Sequence, residues 1–110
     1  MDRRIQAVIR LIEDDFEQEP SHGELAELVN LSPSRLRHLF KAEVGISING
    51  YRNFLRMHKA KELVETSFLS IKQIRNKLGV RDKGRFAQRF RRAFGVTPSQ
   101  YRERHFPNLK

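Results

Sequence analysis

Apolar residues recur every three to four positions along almost the whole chain, which is the period of an α-helix and not of a strand. In residues 2–17, for example, one helical face is formed by Ile5, Val8, Ile9, Ile12 and Phe16. The same spacing continues toward the end of the chain with short interruptions. We therefore predict an all-α fold of about seven helices.

Capping residues divide this pattern into single helices. Side chains that suit the exposed amides of a first helical turn precede six segments, at Ser21, Ser32, Ser47, Ser70, Asp82 and Thr97. Two of them are predicted capping boxes, Ser21 with Glu24 and Ser70 with Gln73, and Thr97 is followed at the same spacing by Gln100. After the first helix we expect helices over residues 23–29, 33–44, 47–65, 71–78 and 83–94, and a last one beginning at 97–98. Gly45 and Gly95 are expected to close two of them in the left-handed conformation.

The chain contains an internal repeat. The segment LAELVNLSPSRLRHLFKAEVGIS, which begins at Leu25, matches IRNKLGVRDKGRFAQRFRRAFGVT, which begins at Ile74. The offset is 49 before a central turn and 50 after it, so the second turn is one residue longer. At the turn Asn30 matches Gly79, and both residue types tolerate positive φ. This arrangement predicts two helix-turn-helix lobes.

The expected domain organisation is an N-terminal lobe over residues 1–46, a linker helix over residues 47–66 and a C-terminal lobe over residues 67–110. A helix of about 18 residues spans roughly 27 Å. Recognition helices in successive major grooves on one face of DNA lie about 34 Å apart. The linker is somewhat shorter than that spacing, but close enough to hold both lobes in successive grooves.

Charge is distributed unevenly. The net charge is +9, yet residues 70–110 hold 12 Lys and Arg against 2 Asp and Glu, while residues 1–69 hold 10 against 11. This asymmetry favours a polyanionic partner, with a solvated basic surface as the plain alternative. An anionic membrane is a weaker alternative because the basic segment also carries a regular core pattern.

Several classes of function have little support. There is no Cys, no apolar run approaches the roughly 18 residues that span a membrane, and the start of the chain is not a signal peptide. The histidines have no metal-ligand spacing; they are His22, His38, His58 and His105. We expect a cytoplasmic protein that is not an enzyme and has no catalytic residue, metal or cofactor.

Helical-wheel positions separate an inner and an outer face on each second helix of the repeat. In the first, the inner residues are Leu36, Leu39, Phe40 and Val44, and the outer ones are Ser34, Arg37, His38 and Lys41, with Arg35 at the flank. In the second, the inner residues are Phe86, Phe90 and Phe94, and the outer ones are Lys83, Gly84, Arg85, Gln88 and Arg92. Arginine suits guanine and glutamine suits adenine in the major groove. A protein-interaction module without base reading remains the alternative. RNA binding is disfavoured, because RNA-binding proteins usually stack bases on exposed aromatic side chains and the phenylalanines here fall on core positions.

These residues resemble the AraC/XylS family of regulators over nearly the whole chain. The resemblance lies in the first repeat, in the linker YRNFLRMHKAKELVETS with Tyr51, Arg56, Ala60 and Leu63, and in FRRAFGVTPSQYR, the most specific match. It implies two lobes on a linker helix, both recognition helices in the major groove of double-stranded DNA, and transcription activation through contact with RNA polymerase. It also implies a sensor or receiver domain in a longer parent chain, although a short stand-alone regulator stays open. The module is expected to be monomeric, and a dimeric parent is left open.

The resemblance also assigns site residues. Base contacts are expected from Ser34, Arg37, His38, Lys83, Gly84, Arg85 and Gln88. Phosphate contacts are expected from Ser32, Arg35, Lys41, Arg56, Arg89, Arg91, Arg92 and Thr97. The chain departs from the family pattern at Arg75, Val80 and Gly84, where the family usually has alanine, an aromatic and a small polar residue. The change at Gly84 puts base selection by the second lobe in doubt.

Overall fold

The computed structural model describes residues 1–14 and 19–105 of the 110-residue chain. Within these residues there are seven α-helices and no strand, so the predicted fold class is confirmed. The helices are α1 (Arg3–Asp14), α2 (His22–Leu28), α3 (Pro33–Val44), α4 (Ile48–Thr66), α5 (Ile71–Lys77), α6 (Lys83–Phe94) and α7 (Pro98–His105). Apart from the C-terminal end of α1, their ends lie within about one residue of the prediction. The predicted last turn of α1, with Phe16, falls outside the described residues.

The predicted caps fix where most helices begin. The Ser32 hydroxyl accepts from the Arg35 amide at 3.1 Å at the start of α3. Reciprocal bonds of a capping box join Ser70 with Gln73, and Thr97 with Gln100. The box predicted at Ser21 and Glu24 is only half formed. There the Ser21 hydroxyl accepts from the Glu24 amide at 3.1 Å, but the exposed Glu24 side chain makes no return bond.

The chain divides into two compact units, residues 1–55 and 56–110, which we call the first and the second unit. In the first unit, α1, α2, α3 and the start of α4 bury Ile5, Val8, Ile12, Leu25, Ala26, Leu36, Phe40 and Ile48. In the second, the end of α4 and α5 to α7 bury Met57, Ala60, Val64, Ile74, Leu78, Val80, Phe86, Phe90 and Pro98. Each unit thus encloses a core of its own.

The repeat extends beyond the two matching sequence segments. The buried face of α1, formed by Ile5, Val8 and Ile12, recurs 52 positions later on α4 as Met57, Ala60 and Val64. The ring of Phe40 meets Tyr51 edge-on at 5.8 Å, and that of Phe90 meets Tyr101 in the same way at 5.8 Å. Consequently, α4 closes the first unit as α7 closes the second, and it opens the second unit as α1 opens the first.

An arginine in each unit, buried in the first and half-buried in the second, holds the segment that precedes the helix-turn-helix. Arg52 on α4 is only 6% exposed, donates to the Pro20 carbonyl and lies 3.9 Å from the Glu19 carboxylate. Fifty positions later, Arg102 on α7 donates to the Leu69 carbonyl. Both guanidinium groups therefore satisfy carbonyls just before the first helix of the pair.

Candidate nucleic-acid interface

The corner between the two helices of each unit has the expected backbone geometry. Asn30 adopts φ 59° and Gly79 adopts φ 74°, the left-handed conformation that a tight reversal requires. Past the corner, the Leu31 amide donates to the Ala26 carbonyl at 2.9 Å, and the Val80 amide donates to the Arg75 backbone carbonyl at 3.0 Å. The paired helices α2–α3 and α5–α6 are therefore two copies of one helix-turn-helix geometry.

In the first unit, α3 buries an apolar face and exposes a polar one. Leu36 and Phe40 are fully buried, and Leu39 and Val44 are half-buried. On the other side, one open depression is lined by Ser34, Arg37, His38, Lys41 and Ala42. The predicted base-reading residues of this unit thus lie together on one exposed surface, with Arg35 also exposed at its flank.

In the second unit, α6 has the same division with more positive charge. Phe86 and Phe90 are buried, while the exposed side chains are Lys83, Arg85, Gln88, Arg91 and Arg92. Arg89 is half-buried, unlike the four exposed basic side chains of this helix. The centroid of the Phe90 ring lies 4.7 Å from that of Phe94 and 5.8 Å from that of Tyr101, so the buried face of the helix packs in an aromatic cluster.

The first turn of α6 combines a carboxylate cap with a glycine. Asp82 accepts from the Arg85 amide at 2.9 Å. That bond, followed by the positive charges of Arg85 and Arg75, holds the pKa of the Asp82 carboxyl below its ordinary value. A β-carbon at Gly84 would lie 3.5 Å from Asp82 Oδ1, an ordinary contact, so nothing within the chain requires a glycine there.

The expected phosphate contacts occupy several environments. Ser32 and Thr97 are N-caps whose oxygens accept from backbone amides, which leaves each hydroxyl proton available to donate to a phosphate. Lys41 is exposed on α3, and Arg56 is half-buried on α4. The full set is divided between the two units, with Ser32, Arg35 and Lys41 in the first and the others in the second.

The two units differ strongly in charge. Residues 1–55 contain 7 Lys and Arg against 9 Asp and Glu, a net −2, whereas residues 56–110 contain 15 against 4, a net +11. The first unit therefore offers positive charge locally, on α3, within an overall acidic unit. The second carries five basic residues on α6, Lys83, Arg85, Arg89, Arg91 and Arg92, within a strongly basic unit.

Sequence reasoning missed the structural arginines. Arg52 and Arg102 hold loop carbonyls, and Arg75 donates to the carbonyls of Val80 and Arg81 at 3.3 and 2.6 Å. The 50-residue repeat relates Arg52 to Arg102, and the turn that follows Arg75 is one residue longer than its counterpart in the first unit. Both signals were present in the sequence, but neither identifies the carbonyl that accepts.

Two further features are absent from the part of the chain that the structure describes. No three His, Cys, Asp or Glu side chains among residues 1–14 and 19–105 are grouped so as to hold a metal ion. Over the same residues, none of the helices is both long and apolar enough to cross a membrane.

A repeated helix-turn-helix with an exposed polar second helix defines a class, the double helix-turn-helix DNA-binding domains. The family model described as "Helix-turn-helix domain" matches residues 25–104. The arabinose operon regulatory proteins of Salmonella typhimurium and Escherichia coli are 34% and 33% identical to the chain over 105 and 103 residues, with 93% of the chain covered in each case. The chain spans 37% and 35% of their lengths.

Solved structures show the same architecture. The C-terminal domain of AraT, a response regulator from Geobacillus stearothermophilus, matches 94% of the chain and 86% of its own at a TM-score of 0.85 and 31% identity. An AraC-type regulator from Chromobacterium violaceum matches 93% of the chain and 91% of its own at 0.84 and 27%. The chain belongs to the AraC/XylS family and is a DNA-binding domain of its transcription regulators.

Proposed function

We propose that the chain recognises a specific double-stranded DNA site by inserting α3 and α6 into adjacent major-groove segments. The observation that supports this most directly is the exposed surface of Ser34, Arg37, His38 and Lys41 on α3, opposite an apolar face on which Leu36 and Phe40 are fully buried. An α-helix fits the major groove, where every base pair presents a distinct set of donors and acceptors. The same division on α6 provides the second contact.

The residues take two roles in this proposal. Base edges are contacted by Ser34, Arg37 and His38 on α3 and by Lys83, Gly84, Arg85 and Gln88 on α6. Phosphates are contacted by Ser32, Arg35, Lys41, Arg56, Arg89, Arg91, Arg92 and Thr97. Arg37 is the strongest candidate for a bidentate guanine contact because it is exposed at the centre of α3.

The regulatory role of a parent protein is part of the same proposal. The activator RhaS of Escherichia coli is 31% identical over 100 residues, and the chain spans 36% of it. We infer that this module, as a monomer in the cytoplasm, brings an activator to its site, where the assembled protein contacts RNA polymerase. Expression from a reporter promoter carrying the site, with and without the parent chain, tests activation.

Selection of bound duplexes from a random pool, followed by variants of Arg37, tests base reading. Arg37→Ala should weaken binding to the selected duplex by about 1–3 kcal/mol and relax the preference at one base pair. The matched control is Arg10→Ala, which removes the same charge from an exposed position on α1 of the same unit. Equal losses for the selected and random duplexes would make Arg37 a phosphate contact and contradict the assignment.

Footprinting tests the use of both helices. One chain should protect two adjacent major-groove segments roughly 10 base pairs apart. Protection of a single segment would show that only one unit binds in a groove. If the selected pool has no preferred sequence and the affinity falls steeply with salt, the chain is a general polyanion binder and not a sequence-specific one.

A further inference from the structure

The turn of the second unit contains one residue more than the turn of the first. Leu31 and Val80 occupy equivalent positions, because each donates its amide to a carbonyl five residues earlier. The N-cap of the next helix follows Leu31 directly as Ser32 in the first unit. In the second unit Arg81 stands between Val80 and the N-cap Asp82. Arg81 is therefore the inserted residue.

An inserted residue brings a carbonyl that lies ahead of the N-cap and outside the hydrogen-bond ladder of α6. In this turn the Arg81 carbonyl accepts from Arg75 Nη1 at 2.6 Å, and the Val80 carbonyl accepts from the same nitrogen at 3.3 Å. A bond from a guanidinium is charge-assisted and held in direction by the planar group. The inserted segment is thus attached to α5.

The first unit lacks both halves of this contact. Ala26 is the residue equivalent to Arg75, 49 positions earlier, and its side chain is fully buried and has nothing to donate. The turn that follows Ala26 has no inserted residue. The guanidinium and the insertion therefore occur together in the same turn, and both are missing from the other.

We propose that Arg75 and the inserted Arg81 act as a matched pair that fixes where α6 begins, which makes Arg75 a positioning residue for DNA recognition. The inference rests on the proposed function, because its consequence is for base contacts made by α6. Lys83, Gly84 and Arg85 follow Arg81 by only two to four residues. A shift of the Arg81 backbone therefore moves the first turn of α6 relative to the bases.

The test is a double-mutant cycle built from the differences between the units. Arg75→Ala removes the donor, and deletion of Arg81 removes the shorter-bonded of its two acceptors. The combined variant gives the second turn the length of the first and the alanine that the first unit has at the equivalent of position 75. Lys77→Ala is the matched control, because it removes one positive charge from an exposed position on the same helix. Each variant is measured without DNA, by amide exchange at Arg85 and Phe86, and with the selected duplex.

Arg75→Ala should reduce amide protection at the start of α6 about tenfold and should weaken binding to the selected duplex by a similar factor. This is the size expected for one charge-assisted hydrogen bond. The combined variant should lose much less than the two single changes multiplied together. The preference for bases opposite the first turn of α6 should relax, while the salt dependence stays as in the unmodified chain. Arg75→Lys, which keeps the charge without the planar group, should recover only part of the loss.

Different results would overturn the pairing. Independent, multiplicative effects of the two changes would show no coupling between Arg75 and Arg81. A slope of log K against log salt lowered by about 0.9, equal loss of affinity for all duplexes and full rescue by Arg75→Lys would together make Arg75 a phosphate contact. If coupling appears in amide exchange but the unmodified chain shows no preferred duplex, the pairing stands and the proposed function fails.

Discussion

The two units have the same fold, stabilised by corresponding residues, but they carry net charges of opposite sign. Tyr51 donates to Glu13 in the first unit at 2.9 Å, and Tyr101 donates to Glu65 in the second. Gly45 and Gly95 end α3 and α6 with φ 92° and 85°. Yet the first unit has a net charge of −2 and the second +11.

This difference separates what the fold needs from what binding uses. The residues that recur between the units lie in cores, caps and corners, where geometry leaves few alternatives. The residues that differ in chemistry include those on the polar faces of α3 and α6, as at Ser34 and Gly84 or at Arg37 and Ala87, and the pair Ala26 and Arg75 on α2 and α5. Because the scaffold is held constant within one chain, each difference can be tested against its own equivalent position.

The largest expected effect concerns the aromatic cores. Phe40 and Phe90 are both fully buried, so replacing either with alanine should destabilise its unit by about 3–5 kcal/mol. Phe90 has ring contacts with Phe86, Phe94 and Tyr101, and Phe40 has a ring contact with Tyr51. Phe90→Ala should therefore cost about 1–2 kcal/mol more. Urea unfolding of each variant measures this, and equal losses would remove the distinction.

The next effect concerns a division of labour in DNA binding. Replacing Ser34, Arg37 and His38 together with alanine should reduce the ratio of specific to non-specific binding about 100-fold and leave the salt slope nearly intact. Replacing Arg91 and Arg92 should lower that slope by about 1–2 and weaken all sequences alike, at roughly 0.9 per phosphate. Binding of selected and random duplexes across a salt series measures both. The reverse pattern would assign recognition to the second unit.

A smaller effect is expected at Gly84, the equivalent of Ser34. A β-carbon fits beside Asp82, so Gly84→Ser should leave unfolding nearly unchanged. It should add a side chain that discriminates bases opposite the first turn of α6 by about 1 kcal/mol. Repeated duplex selection with this variant is the measurement, and Ser34→Gly is the reciprocal control in the first unit. An unchanged preference would show that this turn does not face a base.

The smallest effect concerns alkaline pH. Burial, and after it the bond to Glu65, raises the pKa of Tyr101 to about 12, and the same two causes raise that of Tyr51. A raised folded-state pKa gives stability that is complete below the unfolded value near 10 and declines from there toward pH 12. Tyr101→Phe should flatten that decline in the second unit, as Tyr51→Phe should in the first. Urea unfolding followed across this range tests it, and an unchanged decline would contradict the assignment.

Sequence alone was sufficient for the elements whose signals are local. Ser32 with Pro33, Asp82, and the closing glycines bracket α3 and α6, and the spacing of Phe86 and Phe90 orients the inner face. It was insufficient for contacts between distant positions. Arg52 reaches a carbonyl 32 residues away and Arg102 one 33 residues away, and no periodic pattern specifies such a pair. Arg89 is a different case: it is the equivalent of Leu39 on the inner face of α3, so the repeat itself indicates its partial burial.

The double use of α4 has a consequence for cooperativity. Its first half supplies Ile48 and Tyr51 to one core, and its second half supplies Met57, Ala60 and Val64 to the other. Because a short isolated helix is marginal in water, loss of either core should fray the turns that the other core needs. Unfolding of one unit should therefore propagate to its neighbour, as in a repeat protein. Fragments that fold alone must each contain all of α4, so the minimal pieces, residues 1–66 and 48–110, overlap in sequence.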